Sequence, residues 1–86
     1  MQYVYILKSK KNSSLYIGFT ADLRKRLTQH NEGQSKYTRS FKPWVLVYYE
    51  SYSSKKDALE RERQLKRHKK AWGQLKRRIA DSINEN

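Results

Sequence analysis

The chain has 86 residues, of which 20 are lysine or arginine and 8 are aspartate or glutamate, giving a formal net charge of +12. This length predicts a single domain, residues 1–86, with a small core and no room for a second domain. The absence of cysteine excludes disulfides, thiolate metal sites and cysteine nucleophiles, while the positive charge predicts a polyanionic partner.

Two stretches near the start of the chain predict a β-hairpin. Residues 2–8 are rich in aromatic and β-branched side chains, and residues 15–20 have the same character after a polar turn. Alternation along the first strand separates two sets of side chains, Tyr3, Tyr5 and Leu7 on one face and Val4 and Ile6 on the other. The turn is longer than the two-residue ideal, so the sequence does not fix the register of the pair.

A short helix is predicted after the hairpin. Thr20 or Asp22 can accept a hydrogen bond from an unpaired amide of its first turn. Two leucines four residues apart form its apolar edge, and Arg26 and His30 repeat the same step beside them. Packing and polar chemistry are therefore expected to share one edge of this helix.

A polar loop and a third strand are predicted next. Residues 31–42 contain glycine and scattered cations, and we expect this loop to become ordered only on a ligand. Residues 44–52 are rich in valine, leucine and tyrosine, and Pro43 stands just before them, where a missing amide does least harm. Three strands and two helical regions in this order predict an α/β (α+β) domain with a three-stranded antiparallel sheet flanked by helices.

A long basic helix is predicted from about residue 54. Ser54 and Asp57 resemble a capping box, and the helical stripe that follows is apolar except for Glu62 in its middle. Gly73 predicts a break or kink near the segment from His68 to Gly73, and the tail from about residue 81 is expected to be frayed.

Most of the positive charge lies in this last helical region. Residues 55–78 hold eleven basic and three acidic residues, a net charge of +8. Such a surface attracts nucleic acid through its phosphates, although many small proteins carry a basic helix as a merely solvated face. We expect the substrate contacts from five cations on the loop and on this helix, namely Lys36, Arg39, Lys66, Lys69 and Lys70.

Two tripeptides in the predicted hairpin resemble the pair that names the GIY-YIG nuclease family. They are Tyr3-Val4-Tyr5 and, after ten intervening residues, Tyr16-Ile17-Gly18. Tyr3 stands where the family name has glycine. The likeness extends over about residues 1–80 and points to the small stand-alone bacterial subgroup that is UPF0213-like.

Further residues in the right order strengthen this resemblance. Arg26 and His30 follow Tyr16 by 10 and 14 residues, where the family has its helix arginine and a frequent histidine or tyrosine. The stretch around Glu62 is similar to the one that holds the metal-binding glutamate of the family. The resemblance therefore implies phosphodiester hydrolysis, which needs an activated water, a countercharge for the transition state and help for the leaving oxygen.

The resemblance also implies a role for each residue. Tyr5 and Tyr16 would flank the attacking water, one of them as general base. Arg26 would present its guanidinium fork to the scissile phosphate. Glu62 would hold one Mg²⁺ or Mn²⁺ ion, since such an ion keeps several waters and needs only one or two carboxylates.

Two more residues are assigned supporting roles. His30 would relay a proton or orient a tyrosine, and Gly18 would let substrate or a helix approach the strand closely. Three aromatic residues, Tyr37, Phe41 and Trp44, offer rings for stacking on exposed bases, although Trp44 at a strand start is as well suited to the core.

Ordinary structural explanations compete with these roles. Tyr5 and Tyr16 also suit cross-strand packing, and Arg26 and His30 also suit a solvated surface. Glu62 has three cations nearby in the sequence with which it could form an ion pair, Arg61, Arg63 and Lys66.

Together these features predict a DNA endonuclease of low sequence specificity that uses one divalent ion, with repair or recombination as a suggested setting. Duplex, single-stranded and branched DNA all remain open as substrates, and a protein partner could supply specificity. One alternative is a catalytically silent nucleic-acid-binding module. A membrane-surface module is a weaker alternative, because it needs a broad apolar face on the basic helix. No apolar run reaches 18 residues and the start lacks a secretion signal, so we expect a cytoplasmic protein.

Overall fold

A three-stranded antiparallel sheet forms the centre of the fold. The structure is a computed structural model that describes all of residues 1–86. The strands are β1 (Gln2–Ser9), β2 (Leu15–Thr20) and β3 (Trp44–Tyr52), in the spatial order β2-β1-β3. The hairpin, the third strand and the α/β (α+β) class are confirmed. β1 is the central strand, so each of its side chains is flanked on both sides.

The register of the sheet places the two tyrosines of the predicted motif close together. Tyr5 on β1 lies opposite Gly18 on β2, and Leu7 lies opposite Tyr16. On the other side of β1, Tyr5 pairs with Tyr49 of β3, and the ladder is interrupted by a bulge between Ile6 and Leu7. Tyr16 is therefore a diagonal neighbour of Tyr5, a distance over which aromatic rings make contact.

The two faces of β1 support two separate apolar clusters, as its alternation predicts. One cluster gathers side chains of β1 and of the C-terminal helices, namely Val4, Ile6, Ala58, Leu65, Leu75 and Ile79. The other consists of Tyr5, Leu7 and Trp44, with Leu23 and Leu27 of the first helix packed against it. Full burial of one such aliphatic side chain contributes about 1.5–3 kcal/mol, so both faces hold the helices in place.

The first helix, α1 (Leu23–Asn31), begins at a polar cap that the sequence predicts. Asp22 is the N-cap residue and its Oδ1 accepts a hydrogen bond from the Lys25 amide at 3.0 Å. The Thr20 hydroxyl oxygen accepts the Asp22 amide at 3.1 Å, so both of the predicted capping residues take part. This cap fixes where α1 starts and hence which of its residues face Tyr5.

The C-terminal region forms three helices, α2 (Lys55–Arg67), α3 (Lys69–Arg78) and α4 (Ala80–Asn84). The break predicted in the segment from His68 to Gly73 occurs at His68, which has extended backbone, whereas Gly73 lies inside α3. The turn at His68 lets Leu65 of α2 and Leu75 of α3 reach the same apolar cluster, which a straight helix would not allow.

The tail is also more ordered than its polar sequence predicts. Residues from 81 onward were expected to be frayed, but Ile83 packs against the apolar cluster of α2 and α3. The Lys8 ammonium donates a hydrogen bond to the Ile83 carbonyl at 2.7 Å, which satisfies an unpaired group at the end of α4. None of these helices has the length and the apolar character needed to cross a membrane.

The loop between α1 and β3 is anchored without any ligand, contrary to the sequence-based expectation. Asn31 fixes its two ends together, because its side chain accepts the Trp44 amide at 2.6 Å and donates to the Trp44 carbonyl at 3.0 Å. The Ser9 hydroxyl donates to the Phe41 carbonyl at 2.5 Å, where a short 3-10 helix (Arg39–Phe41) ends. Thr38 is buried, so the loop belongs to the packed structure.

Candidate active site

Tyr5, Tyr16 and His30 form the centre of the candidate site. The rings of Tyr5 and Tyr16 lie 6.3 Å apart between centroids. The His30 ring, from the last turn of α1, lies 5.9 Å from Tyr5 and 5.1 Å from Tyr16. The His30 Nε2 atom is 2.9 Å from the Tyr5 hydroxyl oxygen, within hydrogen-bonding distance. The structure therefore brings together three of the residues that the sequence singles out.

Gly18 is required by the position of the Tyr5 ring. A Cβ atom added to Gly18 would overlap the Cζ and hydroxyl oxygen of Tyr5. Tyr5 lies directly opposite Gly18 on the neighbouring strand β1, and its ring extends over the glycine. The close approach expected at Gly18 is thus made by Tyr5. In this structure the tyrosine ring takes up the space that the sequence analysis assigned to substrate or to a helix.

Replacing Gly18 with alanine is expected to destabilise the protein by about 1–3 kcal/mol, because the added methyl group displaces a ring that has little room to move. Tyr5 is only 2% exposed. Gly73→Ala is the matched control, since the nearest atom to its added Cβ is the mobile end of Arg77 at 3.7 Å. Urea denaturation of both variants measures the difference, and equal stability of the two would contradict this role of Gly18.

His30 is hydrogen-bonded at both ring nitrogens. Its Nδ1 atom is 2.7 Å from the hydroxyl oxygen of Thr38, and the Thr38 carbonyl accepts a hydrogen bond from the Trp44 indole at 2.8 Å. Burial, together with the positive charge of Arg26, lowers the pKa of His30, so the imidazole is neutral at pH 7. A neutral ring has one donor and one acceptor nitrogen, and its partners decide which is which.

The electrostatic surroundings of Tyr5 identify two more members of the site. Burial raises the pKa of Tyr5 well above its usual range, and the nearby Tyr16 raises it further. The positive charge of Arg26 opposes this shift and the negative charge of Glu62 adds to it. Both side chains therefore lie within electrostatic reach of the same hydroxyl, although they come from different helices.

Arg26 is exposed at the edge of this cluster. It lines a surface depression with Gln29, Gln34, Ser35 and the buried His30, so the depression lies next to the histidine of the site. No carboxylate of the chain lies within ion-pair distance of its guanidinium. The donors of Arg26 are thus free for an anion in the depression.

Glu62 is half-buried on α2, and its ion-pair partner is Lys66. The two side chains approach to 3.3 Å, with Glu62 19% exposed and Lys66 48% exposed. Arg63, one of the other predicted partners, pairs with Glu60 instead. The pair of Glu62 is thus a single contact to a mobile, solvated lysine, which a competing cation can replace.

The donor set around Glu62 suits a hydrated ion and not a protein cage. No group of three or more histidine, cysteine, aspartate or glutamate side chains comes together anywhere in the chain. One accessible carboxylate is compatible with Mg²⁺ or Mn²⁺, because Mg²⁺ keeps most of its waters and takes its remaining oxygens from a substrate phosphate.

The residue before Glu62 holds α2 against the sheet. Arg61 makes two hydrogen bonds to the Glu50 carboxylate, at 2.9 and 3.0 Å, and the hydroxyls of Tyr48 and Tyr52 donate to the same carboxylate. Burial and the hydrogen bond to Glu50 raise the pKa of each of these two tyrosines to about 12. The Arg61 guanidinium is thus occupied by its hydrogen bonds to Glu50. The cluster also fixes the orientation of the helix that carries Glu62.

The cations assigned to substrate binding are all exposed, on two parts of the surface. Lys36 and Arg39 lie on the loop that carries Thr38, and the other three, Lys66, Lys69 and Lys70, surround the turn between α2 and α3. Among the aromatic residues, Trp44 is in the core, whereas Tyr37 is 85% exposed and Phe41 is 39% exposed. Of the three rings predicted for stacking, only these last two are exposed.

Thr38 is a partner of the site that the sequence did not predict. Thr38 follows His30 by eight residues through an irregular loop, a separation that no helix or strand period singles out. Trp44 and Asn31 were likewise missed as the residues that hold this loop. The combination of a buried threonine and an indole donor becomes visible only when the chain folds back on α1.

The structure has the features that define a domain of the GIY-YIG type. These are a three-stranded sheet with paired tyrosines on adjacent strands, a helix arginine and histidine, and a glutamate on the next long helix. Residues 1–78 match the GIY-YIG catalytic domain. The chain therefore belongs to the GIY-YIG family, in the small bacterial group of UPF0213 proteins. Membership in this family indicates nuclease chemistry and a nucleic-acid substrate.

Individual relatives are similar over most of the chain. A UPF0213 protein of Staphylococcus haemolyticus is 49% identical over 65 residues, covering 74% of this chain and 78% of that protein. A UPF0213 protein of Bacillus velezensis is 42% identical over 86 residues, covering 94% of this chain and 86% of that protein. The solution NMR structure of a UPF0213 protein from Bacillus halodurans has 37% identity and a TM-score of 0.54, covering 87% of this chain and 82% of that one.

Proposed function

We propose that this protein is a divalent-metal-dependent endonuclease that hydrolyses DNA phosphodiester bonds with low sequence specificity. The observation that carries the proposal is the grouping of the Tyr5 hydroxyl with His30, which is hydrogen-bonded to it, and with Tyr16 beside it, where the charges of Arg26 and Glu62 both act on the pKa of Tyr5. These side chains come from both strands of the hairpin and from two helices. Hydrophobic packing alone does not require such a grouping.

In the proposed reaction, a water molecule attacks the phosphorus atom of a phosphodiester bond held against Arg26. One tyrosine of the pair, having first lost its own hydroxyl proton to solvent, takes the proton from this water as the new P–O bond forms. The Arg26 guanidinium donates hydrogen bonds to the phosphate oxygens, whose negative charge increases in the transition state. The bond from phosphorus to the leaving oxygen then breaks, and the leaving oxygen takes up a proton from solvent.

Glu62 would hold the divalent ion of this site, which supplies positive charge near the leaving oxygen when it is bound. The same positive charge offsets the influence of the Glu62 carboxylate on Tyr5, which otherwise raises the pKa of that tyrosine. Deprotonation of Tyr5 is therefore less unfavourable in the loaded site than in the free protein.

Cleavage assays on DNA of different forms test this function. Purified protein is incubated with plasmid, single-stranded and branched DNA in the presence of Mg²⁺, Mn²⁺ or EDTA. We expect metal-dependent cuts spread over many sequences and no cuts in EDTA. Glu62→Gln protein purified in parallel controls for a contaminating nuclease. Binding without cleavage of any of these substrates would instead support the catalytically silent module.

Affinity for duplex DNA is expected to fall steeply with salt, because each phosphate contact releases counterions and contributes about −0.9 to the log-log slope. Exposed cations around the turn between α2 and α3 provide about three to six contacts, so the slope should be about −3 to −5. Fluorescence anisotropy at several salt concentrations measures it. A slope near zero would contradict a phosphate-binding surface.

Reversing the charge of Lys69 and Lys70 to glutamate tests where these contacts lie. The double variant should weaken binding to all sequences alike, since phosphates carry no sequence information. Lys10→Glu with Lys11→Glu is the matched control, because it makes the same change of net charge in the β1–β2 turn. Equal weakening by both pairs would show that net charge alone, and not the α2–α3 surface, determines affinity.

A further inference from the structure

The hydrogen bonds of Tyr5, His30 and Thr38 form a chain whose direction is not arbitrary. Its two links are Tyr5 hydroxyl to His30 Nε2, at 2.9 Å, and His30 Nδ1 to Thr38 hydroxyl, at 2.7 Å. The neutral chain contains three protons, one on each hydroxyl and one on the imidazole. Two links use two protons, so one proton is left over at one end.

The two possible directions differ in which end keeps this proton. If Tyr5 donates to Nε2, then Nδ1–H donates to Thr38 and the Thr38 proton has no acceptor. If Thr38 donates to Nδ1, then Nε2–H donates to the Tyr5 oxygen and the proton of Tyr5 is free. The ring is neutral in either case, because burial and Arg26 lower the pKa of His30.

The surroundings of Thr38 decide between the two directions. Thr38 is 1% exposed, and its hydroxyl group has no hydrogen-bond partner in the chain other than His30 Nδ1. A hydroxyl proton left over at this end would be buried without an acceptor, which is unfavourable. At the other end, Tyr5 is itself only 2% exposed, but its neighbours are the half-buried Tyr16 and the charge of the exposed Arg26, so a phosphate oxygen bound in the candidate site would approach this end and could accept its proton.

We propose that Thr38 is a positioning residue that sets the tautomer of His30, with the proton on Nε2 and the Tyr5 hydroxyl proton directed toward the candidate active site. His30 then supports the Tyr5 oxygen as a donor and does not take its proton in the resting state. Of the two roles predicted for His30, this geometry selects the orientation of a tyrosine. The meaning of this arrangement for catalysis rests on the proposed function, whereas the tautomer itself does not.

As a consequence, the Tyr5 oxygen accepts a hydrogen bond from His30 both before and after Tyr5 loses its proton. While Tyr5 is protonated, its own O–H can donate to a substrate oxygen. When that proton has left, Nε2–H still donates to the phenolate oxygen and stabilises its charge. The opposite tautomer would offer a phenolate only the lone pair of Nε2, which repels it.

NMR of ¹⁵N-histidine-labelled protein tests the proposal without any cleavage assay, since the two ring nitrogens have distinct shifts in each tautomer. The chain has two histidines, and the exposed His68 provides an internal reference. We expect the wild-type His30 to carry its proton on Nε2. A wild-type ring with the proton on Nδ1 would overturn the proposal, whether or not the protein cuts DNA.

Three variants test whether Thr38 sets this state. Thr38→Val replaces the hydroxyl with a methyl group and should yield a detectable population of the Nδ1–H tautomer, with cleavage about 10-fold slower. Thr38→Ser restores the hydroxyl and should restore both. Thr28→Val is the matched control, because the Thr28 hydroxyl donates to the Arg24 carbonyl on exposed α1 and does not touch the site. An unchanged His30 tautomer in folded Thr38→Val would overturn the role of Thr38.

Discussion

Glu62→Gln is expected to abolish cleavage while leaving DNA binding intact. The amide is neutral and a much weaker ligand for Mg²⁺ or Mn²⁺, so the charge stabilisation that the ion gives the transition state is lost. We expect the rate to fall by about 10³-fold or more, which corresponds to about 4 kcal/mol of activation free energy. The basic surface of α2 and α3 is unchanged, so anisotropy should show equal or slightly tighter binding.

The effect of this variant on folding distinguishes a catalytic glutamate from a structural one. Because Lys66, the partner of Glu62, is 48% exposed, their ion pair contributes only about 0–1 kcal/mol, and the melting temperature should change little. Glu60→Gln is the matched control on the same helix, where the carboxylate pairs with exposed Arg63. Loss of stability with retained cleavage in Glu62→Gln would show that the glutamate is structural.

Removal of single hydroxyl groups from the tyrosine pair is expected to slow cleavage by about 10²-fold or more in at least one case, the range for a positioned general base. Tyr5→Phe and Tyr16→Phe each remove one oxygen and almost no volume. Comparing the two rates at saturating DNA therefore shows which tyrosine takes the proton from the water. Tyr49→Phe is the control, because Tyr49 is 52% exposed and lies on the edge strand β3.

The two variants should differ in stability. Tyr5→Phe leaves His30 Nε2 without its partner in a buried position, so the free energy of unfolding should fall by about 1–3 kcal/mol. Tyr16 is only half-buried, so loss of its hydroxyl group should lower the free energy of unfolding by a smaller amount. Native circular dichroism together with wild-type rates in both variants would show that the tyrosines serve packing alone, and the proposed reaction would then be wrong.

The sequence predicted the parts of this structure that depend on local periodicity. Alternation in β1 correctly assigned Tyr5 and Ile6 to opposite faces, since the side chains of a strand must alternate. The four-residue step from Arg26 to His30 likewise placed both on one edge of α1, because residues at that spacing neighbour each other on a helix.

Features that depend on how distant segments meet were not predictable. The sequence predicted a break in the segment from His68 to Gly73, but its position at His68 depends on two helices packing on one apolar cluster, which the sequence of α2 alone does not reveal. The hydrogen bond between Thr38 and His30 depends on a loop whose path is set by Asn31 and Trp44. Periodic patterns therefore identified the candidate catalytic residues, whereas their supporting contacts required the tertiary structure.

Strand β1 supplies the candidate site and the core in alternate residues, with consequences for how the protein can fail. A slip of β1 by one residue would exchange the environments of Tyr5 and Ile6, since every side chain changes face. A misfolded copy of this kind would lose its tyrosine pair, yet the cations of α2 and α3 could still attract nucleic acid. Such copies would occupy DNA without cutting it. The specific activity of a preparation, measured against its DNA-binding capacity, therefore reports the fraction of molecules in which β1 has paired correctly.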